Sequence, residues 1–288
     1  MHTTLISAEE LAQIIDQCVV FDVQHDLFKP EAGPAAYAAE HIPGAFFLDN
    51  TADLAGPKQF ENGIPATGRH PLPNRAELAQ KLAACGVNQG QQVVVYDGSN
   101  GMYAVRLWWL LNWLGHSNVA VLDGGLGAWK VARYPVTSVL PSSKDGDFAA
   151  SHPTNSLVPI EELVADVAGA RQYLVIDARA GERYRGEVEP LDRVAGHIPG
   201  AVNRPFQLNL RPDGRFKPAP VLRQEFEALI GSYDVSQVIN QCGSGVTACH
   251  NILAMTHAGL TGSSLYPGSW SEWSASPDRP VATGPDRG

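Results

Sequence analysis

Short β-branched runs alternate with helix-like stretches along the whole chain. Ser7 and Glu10 have the spacing of a capping box ahead of the apolar stretch from Leu11 to Ile15, and the run from Val19 to Val23 reads as a strand. Asn74 and Glu77 repeat the helix-start signal. Val93-Val94-Val95-Tyr96 and Val119-Ala120-Val121-Leu122 are apolar without alternation, as strands buried on both faces of a parallel sheet are, and the helix signals between them supply crossovers. The pattern predicts an α/β fold, with mainly parallel sheets flanked by helices.

The pattern is written twice. Glu40-His41-Ile42-Pro43-Gly44-Ala45 recurs as Gly196-His197-Ile198-Pro199-Gly200-Ala201, and Gly68-Arg69-His70-Pro71-Leu72-Pro73 is echoed by Gly214-Arg215-Phe216-Lys217-Pro218-Ala219-Pro220. Upstream, Val19-Val20-Phe21-Asp22 matches Leu174-Val175-Ile176-Asp177. Downstream, Asp123-Gly124-Gly125-Leu126-Gly127-Ala128-Trp129 parallels Tyr266-Pro267-Gly268-Ser269-Trp270-Ser271-Glu272-Trp273. Markers kept in one order predict two tandem domains of the same fold. Between the copies, Pro135 to Pro153 is rich in Pro, Ser, Asp and Gly and has no periodicity, which sets a first domain over 1–137, a linker over 138–153 and a second domain over 154–288. A length of 288 residues suits two domains.

Composition then removes classes of partner. Hydrophobic residues make up 44% and charged residues 18%, and no apolar run is long enough to span a bilayer, so no membrane association is expected. The start, Met1 to Ser7, lacks the basic stretch and apolar core of a secretory signal, and a cytoplasmic address follows by default. A net charge of −9 without a Lys/Arg cluster argues against nucleic acid while leaving room for a local basic pocket. The four cysteines, Cys18, Cys85, Cys242 and Cys249, form no CxxC pair, so neither a disulfide nor a metal site is predicted, and Cys18 and Cys85 read as small buried hydrophobes.

Cys242 is different. A strand, Val238-Ile239-Asn240, leads into Gln241-Cys242-Gly243-Ser244-Gly245-Val246-Thr247, and a helix-like stretch from Ala248 to Ala258 follows directly. The glycines let successive N–H groups turn inward into an anion-holding nest at a helix start, where a thiolate, the nucleophilic form, is favoured over the thiol. Phosphatases use a cysteine loop of this kind with an Arg at its end to clamp phosphate; here that position is Ala248, which counts against phosphoryl chemistry.

These residues resemble a known family, the tandem-domain rhodanese and 3-mercaptopyruvate sulfurtransferases, through the repeated HIPGA-type segments, the terminal Gly268-Ser269-Trp270 to Trp273 and the loop Cys242-Gly243-Ser244-Gly245-Val246-Thr247. The resemblance covers nearly the whole chain. It implies two rhodanese-like domains and an enzyme that moves sulfur from an anionic donor through a Cys242 persulfide, in ping-pong fashion and without a cofactor, to cyanide, a thiol or a thioredoxin-like protein. The loop looks like the 3-mercaptopyruvate type; the thiosulfate type carries Arg and Lys where Gly243 and Ser244 stand. In the first copy Asp97 takes the cysteine position, so that domain is expected to be non-catalytic, with Trp108, Trp109 and Trp113 serving its core or an interface. A cysteine-dependent phosphatase and a non-catalytic rhodanese module are the alternatives.

The resemblance also points to donor-binding residues. Arg183, after Asp177-Ala178-Arg179, is the best match for an arginine that grips the donor by a forked pair of hydrogen bonds, which a lysine would not reproduce. Arg193, before the second His-Ile-Pro-Gly, stands near the place of a second donor arginine, with Arg185 as an alternative; Asp177 and Arg179 are read as fixing the strand end. Ser244 could bond the persulfide or help protonate a leaving enolate, and His41 is the candidate to join it in a relay, against a purely structural role. Cys249 reads as packing, and His250 and His257 lack a third ligand for a metal.

Overall fold

The computed structural model describes residues 1–61, 64–65, 67–98, 100–142 and 145–288; Ser99 of the Asp97 loop and Ser143 and Lys144 of the predicted linker lie outside the described residues. The chain forms two compact units. The first comprises Met1–Gly56, Pro73–Thr154 and Pro212–Phe216, the second Pro57–Leu72, Asn155–Arg211 and Lys217–Gly288.

In the first unit the elements run β1 (Leu5–Ile6), α1 (Ala8–Ile14), β2 (Cys18–Asp22), α2 (Ala32–Ala39), β3 (Phe46–Phe47), α3 (Arg75–Ala84), β4 (Gln92–Tyr96), α4 (Ala104–Trp113), β5 (Val119–Leu122) and α5 (Gly125–Val131). The strands form one sheet in the order β3-β2-β4-β5-β1, every pairing parallel. The runs that read as doubly covered strands are so: β4 and β5 are buried throughout. Ser7 caps α1 in a full capping box with Glu10, and the Asn74 side chain accepts from the amides of Ala76 and Glu77 to start α3. Trp108 and Trp109 are buried in this unit's core, and Trp109 stacks on the half-buried Trp113.

The second unit repeats the plan: β6 (Ser156–Leu157), α6 (Ile160–Ala168), β7 (Leu174–Asp177), α7 (Gly181–Tyr184), β8 (Val202–Asn203), α8 (Ala219–Ile230), β9 (Val238–Gln241), α9 (Ala248–His257), β10 (Ser264–Leu265) and α10 (Ser269–Trp273). Its sheet order is β8-β7-β9-β10-β6, again all parallel, so strand for strand the two sheets share one topology. The helix α6 shows the expected one-sided pattern, with Leu163 and Val167 inward and Glu161 and Glu162 in its first turn. Trp270, Trp273 and Tyr266 are fully buried among Ile198, Ala201 and Ile239. A ring of that size removed from a closed core costs about 3–5 kcal/mol, so these aromatics hold the end of the unit that carries α10.

Two features depart from a simple linear division. Residues 145–154 do not hang free as a connector: Gly146 and Phe148 donate to the carbonyls of Ala83 and Val87, and Ser151 and Thr154 donate to those of Leu114 and Asn112. Polar composition there serves backbone hydrogen bonding to the ends of α3 and α4 rather than flexibility. The segment Pro57–Leu72 precedes α3 in the chain yet packs within the second unit. That placement carries Arg69 and His70 to the Cys242 loop.

Candidate active site

In both units the chain leaves the central strand, β4 or β9, and turns into the following helix, and ligand sites of α/β sheets form at such strand ends. In the second unit this turn begins at Cys242, which is 2% exposed. Gly245 has φ +78°, a region side chains resist, and a Cβ on it would lie 2.3 Å from the Pro267 carbonyl oxygen. No residue but glycine fits there. The Cys242 amide donates to Ser269 Oγ at 3.1 Å, and Ser269 in turn donates to the Tyr266 carbonyl at 3.0 Å. The carbonyls of Cys242 and Gly243 accept from Trp270 and Ser271 at 3.0 and 2.9 Å, so α10 clamps the loop from behind.

Ser269 itself has φ +53°. A serine held left-handed carries strain, and here its two hydrogen bonds and complete burial hold it in place. The amides of Gly243, Ser244, Val246, Thr247 and Ala248 have no protein acceptor among the described residues. A run of unsatisfied N–H groups at the start of α9 is the chemistry of an anion site.

Around the loop stand four side chains. Ser244 Oγ lies 2.8 Å from His70 Nδ1, and both residues are nearly buried. Arg183 places Nε at 3.2 Å and Nη2 at 2.6 Å from Glu189, with Nη2 also 3.4 Å from Asp192. Arg69 donates through Nη1 to the other oxygen of Asp192. A Cβ placed on Gly243 would come within 2.9 Å of Arg69 Nη2 and 3.5 Å of Arg183 Nη1, which puts both guanidinium groups over the bare face of the loop. Burial raises the Asp192 carboxyl above its ordinary value, against the pull of Arg69 and Arg183.

The residues expected at the site divide. Cys242, Gly243, Ser244, Gly245, Val246 and Thr247 form the loop, and Arg183 reaches it. The forked edge of Arg183, however, is already spent on Glu189, leaving Nη1 toward the loop. Arg193 is exposed, and its Nε donates at 3.4 Å to the Ser274 carbonyl. Arg185 pairs with Glu187 at the surface. Arg179 forks onto Asp177, donates to the Gly196 carbonyl and lies over Trp270 at 4.6 Å, so this pair does fix the end of β7. Cys249 is fully buried and its Sγ faces the Gly245 carbonyl at 3.4 Å.

The histidine on Ser244 is His70, not His41. His41 stacks on Tyr37 with ring centroids 4.1 Å apart and sets Nδ1 2.7 Å from the Tyr37 carbonyl, while Tyr37 donates to Ala45. The second copy repeats this arrangement with Tyr184, His197 and Ala201. A histidine serving the same local contacts in both units is part of the shared fold. His70 stands in a marker that differs between the copies, being matched by Phe216, and a titratable residue in only one copy is the signal that could have singled it out. Nothing local marks Arg69, Asp192 or Ser269 in the same way.

The rhodanese-like domain matches twice, over residues 7–132 and 160–276, and the chain belongs to that family as a tandem-domain member. A relative from Pseudomonas aeruginosa named "Probable 3-mercaptopyruvate sulfurtransferase" is 47% identical over 97% of this chain and 98% of its own. The thiosulfate sulfurtransferase of Bos taurus is 36% identical over 82% of this chain and 78% of its own. Among solved structures, SseA from Escherichia coli, a 3-mercaptopyruvate sulfotransferase with the rhodanese fold, superposes with a TM-score of 0.78 at 29% identity, covering 94% of this chain and 100% of that one.

Proposed function

We propose that this protein is a sulfurtransferase that takes sulfur from 3-mercaptopyruvate onto Cys242 as a persulfide and hands it to a thiol or cyanide. The observation that carries the reading is the Ser244–His70 pair, 2.8 Å apart, two residues beyond a cysteine followed by amides, those of Gly243, Ser244, Val246 and Thr247, that have no protein acceptor among the described residues. Relatives named for 3-mercaptopyruvate and for thiosulfate both support the class, and the closer identity of the Pseudomonas aeruginosa protein favours the first donor.

The chemistry balances without a cofactor. The Cys242 thiolate attacks the donor sulfur, an S–S bond forms, and the C–S bond breaks with its electron pair left on carbon as the pyruvate enolate. The proton from the donor thiol passes through the Ser244 hydroxyl, oriented by His70, to that carbon, so pyruvate leaves and the persulfide anion remains on Cys242. Free amides at the start of α9 offset the anionic charge. In the second half, cyanide or a thiol takes the outer sulfur and the Cys242 thiolate returns. Thioredoxin-like proteins are acceptors of suitable chemistry.

The test compares 3-mercaptopyruvate and thiosulfate as donors with cyanide as acceptor, using Cys242→Ser as control. Turnover favouring 3-mercaptopyruvate and lost in the serine variant is expected. A large preference for thiosulfate would overturn the donor assignment, and activity surviving in Cys242→Ser would overturn the mechanism.

A further inference from the structure

In a guanidinium group the Nε–H and one Nη–H lie side by side, and this edge is the fork that matches a planar carboxylate. The two arginines over Gly243 use theirs in opposite ways. Arg183 spends its Nε–Nη2 edge on Glu189. Arg69 is anchored instead through Nη1 on Asp192, and its Nε and Nη2 have no protein partner among the described residues. Nε is buried as well, and a buried donor without an acceptor is a costly feature that a bound anion would relieve. Nη2 of the same edge is the atom that a Cβ on Gly243 would meet first, at 2.9 Å.

We propose, building on the sulfurtransferase reading above, that Arg69 supplies the open fork that binds the donor's carboxylate, with Arg183 Nη1 as the second contact and Gly243 as the gap through which Arg69 reaches it. Asp192 orients Arg69 from its far side without occupying the fork, and Arg183 shares that carboxylate. Arg193, on the segment where a second donor arginine was expected, spends its Nε on a backbone carbonyl instead. The second donor guanidinium therefore comes from the segment ahead of α3. Gly243 and Arg69 form a matched pair: a side chain at 243 occupies the space that the Arg69 fork needs.

The test uses the full chain and separates donor from acceptor steps. Arg69→Met is expected to raise KM for 3-mercaptopyruvate and Ki for pyruvate by about tenfold or more, with kcat changed by less than about threefold, because uniform binding is what is removed. The acceptor half-reaction, followed on enzyme already carrying persulfide, stays as in the wild type, whereas a purely structural role through Asp192 would disturb both halves. Arg69→Lys keeps the charge without the fork and gives an intermediate rise, and it carries the test if Arg69→Met does not fold. Gly243→Ala raises KM a few-fold alone and adds nothing in the Arg69→Lys background, the mark of a coupled pair. An unchanged KM and Ki in folded Arg69→Met, a larger rise in Arg193→Met, or additivity of Gly243→Ala with Arg69→Lys would each overturn the inference. Failure of the wild type to form persulfide from 3-mercaptopyruvate would instead sink the reading on which it rests.

Discussion

The loop after β4 and the loop after β9 occupy the same place in the same topology, and one is filled while the other is open. In the first unit the Asp97 carboxylate accepts from the amides of Gly101, Tyr103 and Ala104 at 2.7 to 2.9 Å, so the chain fills its own anion cradle. In the second unit Cys242 takes that position, and the amides of Thr247 and Ala248, at the matching helix start, have no protein acceptor among the described residues. The back of each loop is held alike: Leu126 donates to the Asp97 carbonyl and Trp270 to that of Cys242. The residue before each donor is left-handed, Gly125 at φ +57° in one and Ser269 at φ +53° in the other, and Ser269 adds a side-chain bond to the Cys242 amide. The same turn thus receives a carboxylate in the first copy and, in the proposed reaction, the charge of the Cys242 sulfur in the second.

The largest effect expected is on turnover. Cys242→Ser should lower sulfur transfer by about a thousandfold or more, as loss of a covalent nucleophile does, measured with 3-mercaptopyruvate and cyanide. His70→Ala comes next, with kcat down by about a hundredfold and the pH profile altered, since the Ser244 hydroxyl loses the partner that orients it. An unaltered pH profile would remove His70 from the proton path.

On the first unit, Asp97→Asn should cost about 2 kcal/mol in urea unfolding, because the amide replaces a charged acceptor of three N–H groups by a weaker one. Cys242→Asp sharpens the comparison by writing the first loop's residue into the second. It should be as inactive as Cys242→Ser but melt a few degrees higher, the shift for about 1 kcal/mol in a unit of this size, if the free amides accept a carboxylate. Equal melting temperatures would mean those amides do not face the side chain. The smallest effect belongs to Ser269→Gly: the strained φ is relieved, the bond to the Cys242 amide is lost, and kcat should fall about threefold with little change in melting temperature.

Much of this was legible from local pattern. Doubly buried strands such as Val93–Tyr96 announce themselves as unbroken apolar runs, helix starts at Ser7 and Asn74 carry their caps in adjacent residues, and the Cys242 loop holds its glycines beside its cysteine. Each is a short-range effect of sterics or hydrogen bonding. His41, a relay candidate through the resemblance and otherwise a structural loop residue, stacks on Tyr37 in a contact that His197 and Tyr184 repeat.

The order of periodic segments determined two copies of a parallel α/β unit and put one cysteine at a strand end, since burial of apolar runs and the conformational freedom of glycine act within a few residues. Which side chains meet that cysteine's loop was decided by tertiary structure. His70 and Ser244 are 174 positions apart, and Asp192 meets Arg69 through Nη1 while Glu189 takes the forked edge of Arg183. Hydrogen bonds of this kind depend on distances that folding sets, and no spacing along the chain encodes them.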